Sequence, residues 1–219
     1  MSEQSPSPER RSFLTRLNAG AASVAALAMG GVAMAQVKSA PASRWEPARH
    51  DKDDWMDQIP GKHRLVFDTI TEDRLKDTLL FANNFLIVNR SDYGLENKDL
   101  AVIIVVRHLS TSFGYTNEMW AKYGGSMMGR PASGDPKDAP KANAHAAPME
   151  ALAKQGVQFA VCSMATRATA GFIARAAGAT PDAIFAELTA NLLTNARTVP
   201  AGIVALNRAQ ERGYSLVSA

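Results

Sequence analysis

One cysteine, Cys162, occurs in 219 residues. That excludes an internal disulfide and any zinc or iron–sulfur centre built on several cysteines. Also missing are a glycine-rich phosphate loop, a G-x-S-x-G nucleophile elbow and an H-E-x-x-H helix, which removes three common routes to phosphoryl, acyl and metal-assisted chemistry. No block of basic residues with interleaved aromatics occurs, so nucleic acid is not an expected partner despite a pI near 9.1. Long apolar runs are scarce too. The longest mildly apolar stretch, Leu17 to Ala35, is rich in alanine, contains Gly20, Gly30 and Gly31, and falls short of the ~20 strongly apolar residues of a membrane span.

That run belongs to a recognisable leader. Glu9-Arg10-Arg11-Ser12-Phe13-Leu14-Thr15 carries the paired arginines and following Phe-Leu of a twin-arginine export signal, with Glu9 and Thr15 at the flanks where Ser/Thr and Lys are usual. Ala33-Met34-Ala35 supplies the small residues of a cleavage site. The expected mature chain starts at Gln36, acts in the periplasm and has no stable membrane insertion after cleavage. Removing 35 of 219 residues leaves 184, enough for one domain with a proper core. The leader holds three arginines against two glutamates, so cleavage lowers the net charge from +3 to +2. With 46% hydrophobic and 21% charged residues, the chain has a globular rather than a disordered composition.

Residues 36–61 contain prolines and alternating charges without periodicity, and read as an exposed arm whose Trp45 and Trp55 pack somewhere. Beyond Gly61 the alternation predicts a strand at His63–Asp68, then a helix opened by Thr69 and Glu72 at capping-box spacing. Leu75, Leu79, Ala82 and Leu86 line that helix, and Gly94 stops it. Leu100 to Val106 is seven apolar residues in a row, the pattern of a central strand covered on both faces. A helix around Met149–Gln155 with a Gly156 stop precedes a third strand, Val157–Cys162. Thr180-Pro181 opens a helix with Ile184, Leu188 and Leu192 on one face; a short strand at Arg197–Val199, a helix at Ile203–Arg212 and a strand at Tyr214–Val217 follow. Five strands alternating with helices predict a three-layer α/β/α sandwich on a mainly parallel sheet with right-handed crossovers. The Gly/Pro/Ala/Asp-rich stretch from Gly124 to Pro148 reads as a long loop, either mobile or functional.

Ligands of open parallel sheets bind outside the carboxyl ends of the strands, and two segments qualify. Arg107-His108 follows the central strand, and Cys162-Ser163-Met164-Ala165-Thr166-Arg167 joins the third strand to a helix. A thiol there meets unpaired amides and the positive end of a helix dipole, which favours the reactive thiolate, and Arg167 could add to this. The plainer alternative is a buried small hydrophobe, with His108 a hydrogen-bonded loop residue and Arg107 an ion-paired one. Met119, Met127, Met128 and Met149 with His145 invite a copper reading; their irregular spacing favours core packing for Met119 and Met149 and loop positions for the others. Trp120 and Tyr123, three apart, suit either core or the mouth of a pocket.

Gly156-Val157-Gln158-Phe159-Ala160-Val161-Cys162, then Thr198-Val199-Pro200-Ala201-Gly202-Ile203-Val204-Ala205-Leu206, then Gln210-Glu211-Arg212-Gly213-Tyr214-Ser215, resembles the DsrE/DsrF-like family of small sulfur-relay proteins. The shared pattern is a Gly-Val strand ending in cysteine, a Val-Pro-x-Gly turn into a helix, and a closing Gly-Tyr strand, over roughly residues 62 to 217. The resemblance implies that Cys162 accepts sulfane sulfur as a persulfide and passes it on, with a donor or acceptor protein as partner. It also implies a homo-oligomer, trimer or hexamer; separately, no cofactor is expected. Only Cys162 carries over from the motif; Arg107, His108 and Arg167 rest on position. The export signal, the 124–148 stretch and the arm depart from the cytoplasmic relay proteins. A noncatalytic small-ligand or metal-binding module, or a structural subunit of an exported complex, remains the alternative.

Overall fold

The computed structural model describes residues 46–127 and 139–218. The leader, its cleavage site, Trp45, Met128 and the middle of the 124–148 stretch lie outside them. The sheet has five strands, all parallel, in the order β4-β3-β2-β1-β5: β1 is His63–Thr69, β2 Leu100–Val106, β3 Gln158–Cys162, β4 Ala196–Val199 and β5 Ser215–Ser218. All seven β2 side chains are buried, as its unbroken apolar run demands of the middle strand. Full burial of each Val or Ile there contributes roughly 1.5–3 kcal/mol before entropy is counted.

Alternate residues of the strands feed two cores. Phe67, Val102, Ile104, Val106, Phe159 and Val161 face the larger one. Its helices are α2 (Glu72–Tyr93), α3 (Asn117–Met127), α4 (Ala146–Ala153), α5 (Ser163–Ala177) and α6 (Pro181–Ala190). Val66, Ala101, Ile103, Val105, Ala160 and Val199 face the smaller one, covered by α1 (Trp55–Gln58) and α7 (Gly202–Glu211). The chain therefore steps from β1 to β4 over one face and returns to β5 over the other, giving the three-layer α/β/α sandwich.

Besides shifts of one to three residues at other element ends, the structure differs from the sequence expectation in four places. Thr71, not Thr69, caps α2, its hydroxyl accepting the Arg74 N–H at 3.4 Å; the Thr69 hydroxyl is buried in the sheet and donates to Val105 O at 2.8 Å. α6 ends at Ala190, so Leu192 lies beyond it, in a bridge to Tyr115. The expected loop begins as helix, since α3 runs through Gly124 and Gly125 to a buried Met127. Finally, the arm is not exposed throughout. From Pro47 onward it belongs to the same compact unit as the sheet, and Trp55, Met56 and Ile59 enter the smaller core. Tyr214 Oη donates to Met56 O at 2.7 Å, and the fully buried Arg212 side chain reaches Asp57 at 3.0 Å. Arg197 covers the Trp55 ring at 4.6 Å.

Candidate functional site

β3 and β4 are neighbours, yet their onward connections leave to opposite faces, β3 into α5 on the larger core and β4 into α7 on the smaller. In open parallel sheets such a reversal, at the carboxyl ends of the strands, is where ligands bind. Cys162 is the last residue of β3, pairs in register with Val199 of β4, and is the N-cap of α5. Neither α5 nor α7 has a side-chain cap at its N-terminus, so both direct unpaired N–H groups and the positive ends of their dipoles to the same edge of the sheet.

Side-chain alternation places Asp68, Arg107 and Cys162 on the α7 face, two residues beyond Val66, Val105 and Ala160 of the smaller core. Arg107 grips Asp68 bidentately, Nε to Oδ1 and Nη2 to Oδ2, both at 2.7 Å. The hydrogen bonds to Asp68 raise the Arg107 guanidinium above its ordinary pKa; burial opposes this, and the charges of Asp68 and then of an ionised Cys162 add to the rise. Cys162 thus sits within electrostatic reach of a fixed cation. Gly202, the first residue of α7, lies against the aliphatic stem of Arg107: a β-carbon there would stand 2.6 Å from Arg107 Cβ. The glycine of the Val199-Pro200-Ala201-Gly202 turn has a concrete reason, since any side chain would push Arg107 away.

A second set of groups holds the cysteine from the larger core. Tyr115 Oη donates to Thr166 Oγ1 at 2.7 Å, and Thr166 Oγ1 donates to Cys162 O at 2.9 Å. Burial pushes the Tyr115 phenol up; the hydrogen bond to Thr166 opposes this, and the proximity of Cys162 adds to the rise. Ser110 Oγ accepts the Arg107 N–H at 3.0 Å and lies 3.0 Å from Thr69 Oγ1, tying the ends of β1 and β2 together. His108 is exposed and has a left-handed backbone, φ 57°, which turns the chain out of β2. The segments after four strands present large exposed apolar residues: Ile70, Leu109, Met164, and Ile203 with Val204.

Of the residues expected from sequence, Cys162 and Arg107 come together, and His108 stands at the rim. Arg167 does not join them, because its guanidinium lies 4.1 Å over the Phe185 ring and 3.8 Å from Asp182, on α6. Cys162 itself is 6% exposed. Asp68, Tyr115, Thr166 and Gly202 were not singled out. The available signal for Asp68 was a carboxylate near the end of an apolar strand, and for Gly202 a glycine closing a Val-Pro turn. The thioether cluster dissolves into packing: Met119, Met127 and Met149 are all core, which corrects the loop position expected for Met127. His145 meets the Phe113 ring edge-on at 4.8 Å, and Trp120 stacks on Phe113 with its Nε1 donating to Ser112 O. Trp120 and Tyr123 do line a cavity of about 650 Å³ with Gly124 and Ile173, but it contains neither Cys162 nor Arg107. Among the described residues, no helix is long and apolar enough to cross a membrane.

No family model and no curated protein matches the chain. A solved structure of a protein of unknown function, MTH1491 from Methanobacterium thermoautotrophicum, is similar at 20% identity, over 72% of this chain and 100% of that one, with a TM-score of 0.40. A likeness at that level assigns no residue a role.

Proposed function

We propose that this chain is an exported, periplasmic DsrE-like protein that binds or transfers sulfane sulfur through Cys162. The observation that carries the reading is the placement of the lone thiol at the carboxyl ends of β3 and β4, beside two uncapped helix N-termini and within electrostatic reach of the Asp68-held Arg107. In the transfer step, the Cys162 thiolate attacks the outer sulfur of a donor persulfide or polysulfide. A new S–S bond forms on Cys162, the donor S–S bond breaks, and the donor thiolate leaves with the electron pair. An acceptor thiolate then attacks the outer sulfur of the Cys162 persulfide in the same way, so no external oxidant or reductant is consumed. Arg107 and the helix amides stabilise the anionic sulfur in both directions. The exposed apolar side chains of Ile70, Leu109, Met164 and Ile203, in the segments that follow four strands, suit a protein that delivers or removes sulfur by docking against the strand ends.

The test is intact-mass spectrometry after incubation with inorganic polysulfide. The expected result is one added sulfur atom, mapped to Cys162 and removed by a thiol reductant. A native thiol that stays unmodified, and is equally inert to alkylating reagents, refutes the proposal. The near-complete burial of Cys162 favours a second reading, a noncatalytic module that holds a small ligand at the same strand ends. Sulfur-dependent function that is unchanged in Cys162→Ser would select it.

A further inference from the structure

A cavity of about 280 Å³ lies between α2 and α4, separate from the larger one beside Trp120. Its apolar walls come from the two helices, Leu79 and Leu80 of α2 and Pro148 and Leu152 of α4. Leu79 and Leu152 are buried, whereas Leu80 and Pro148 are exposed at the rim. A cavity of about 150 Å³ already holds a benzene ring, so this one has room for a small organic ligand. Three polar side chains share it: Lys76 and Asn83 of α2, and His145, the N-cap of α4. Among the described residues, Lys76 forms no ion pair and the half-buried Asn83 amide no hydrogen bond. His145 is 9% exposed, and its Nε2 has no hydrogen-bond partner; Glu72 Oε1 stands 3.3 Å away without completing one. Buried polar groups are nearly always paired in folded proteins, so an orphaned nitrogen on a cavity-lining imidazole marks a partner that the chain itself does not supply. An apolar pocket with a few uncommitted polar groups is the general form of a small-molecule site.

The two ends of the cavity differ. At one end stand Lys76, with a full positive charge, and the start of α4, where no side chain caps the helix and the positive end of its dipole is open. That end suits an anionic head group. Glu72, beside His145, limits the favourable charge to one unit, which selects a carboxylate over a doubly charged phosphate. Asp73 and Asp77 are also exposed on α2 but do not line the cavity. Asn83 lies two turns beyond Lys76, about 10 Å along the axis at 1.5 Å per residue, with the leucines between them. Its amide ends the apolar stretch, so a longer alkyl chain would gain nothing by reaching past it.

We propose that this cavity binds a short-chain aliphatic carboxylate, its head group at Lys76 and the start of α4 and its chain along Leu79, Leu80, Pro148 and Leu152. The site stands apart from the sulfur chemistry, since the cavity includes neither Cys162 nor Arg107. Calorimetric titration of the full chain with sodium hexanoate at neutral pH tests it, with acetate, hexanol and decanoate as comparisons. Hexanoate is expected to bind saturably, one per chain, and about tenfold or more tighter than acetate or hexanol; decanoate should bind no tighter than hexanoate. Leu80→Trp, which fills the rim, should abolish hexanoate binding with unchanged circular dichroism. Lys76→Gln should weaken it several-fold and leave sulfur uptake by Cys162 as it was. No saturable binding of hexanoate, equal binding of acetate or hexanol, or a titration unchanged in either variant overturns the proposal.

Discussion

Gly202→Ala is the smallest change that reaches the proposed site. Its added β-carbon would stand 2.6 Å from Arg107 Cβ, 2.9 Å from Arg107 Cδ and 3.1 Å from Val105 Cγ1. The first two are closer than real Cβ contacts come, and the Arg107 stem cannot swing freely because its head is bound twice to Asp68. Overpacking of this kind costs about 1–3 kcal/mol. Two contacts this short on a side chain pinned at its head put Gly202→Ala at the upper end, about 2–3 kcal/mol; a helical alanine returns up to ~1 kcal/mol over glycine, so the expected net loss is about 1–2 kcal/mol. For a unit of this size that lowers Tm by roughly 2–8 °C. Gly171→Ala in α5 is the matched control: its nearest neighbour is Arg175 Nη1 at 3.8 Å, and the same propensity gain should raise Tm. Thermal unfolding followed by circular dichroism measures both. A Gly202→Ala protein as stable as the unaltered one would refute the packing of α7 on Arg107, and with it the positioning of that cation.

Asp68→Asn should leave Arg107 without its carboxylate in a site where the two side chains are 26% and 14% exposed; a loss of about 1–3 kcal/mol in urea unfolding and a slower uptake of sulfur by Cys162 are expected. Burial pushes the Tyr214 phenol up to about 12 from 10.0. The unfolded chain therefore releases this proton first, and the stabilisation is whole below pH 10 and lost as pH rises to about 12, roughly 2–3 kcal/mol in all. Tyr214→Phe should be less stable at pH 7, because Met56 O loses its donor, and should show a shallower decline over that alkaline window in denaturant titrations. Thr71→Ala should cost about 0.5–1 kcal/mol through loss of the α2 cap, whereas Thr69→Val should cost more, because it leaves Val105 O without its buried donor.

The strands and most helix ends were legible because local chemistry decides them. The apolar run of β2 can only be a doubly covered strand, and Gly94, Gly156 and Gly213 stand at positive φ where a chain reverses. The misreadings share a cause, which is tertiary contact overriding local preference. Gly124 and Gly125 read as loop but are carried in a helix anchored by Trp120 and Met127 in the core. Thr69 has the better capping-box spacing, but its hydroxyl is taken by Val105 O. Residues 51–59 lack periodicity because they are held by Arg212 and Tyr214, more than 150 positions away. In the site, Cys162 and Arg107 were legible as strand-end residues. Asp68, Tyr115 and Gly202 were not, since they meet the cysteine region only through the order β4-β3-β2-β1 and the return of α7 over the opposite face.

The most direct test of the account is the rate at which Cys162 reacts with iodoacetamide in the native protein, measured by intact mass as the reagent concentration is raised. A thiol that opens at the carboxyl ends of β3 and β4 reacts in proportion to the reagent and faster than the protein unfolds, and this is the predicted result. A rate that stays constant with reagent and equals the unfolding rate would show a sulfur sealed in the core and would contradict the claim that Cys162 exchanges sulfur.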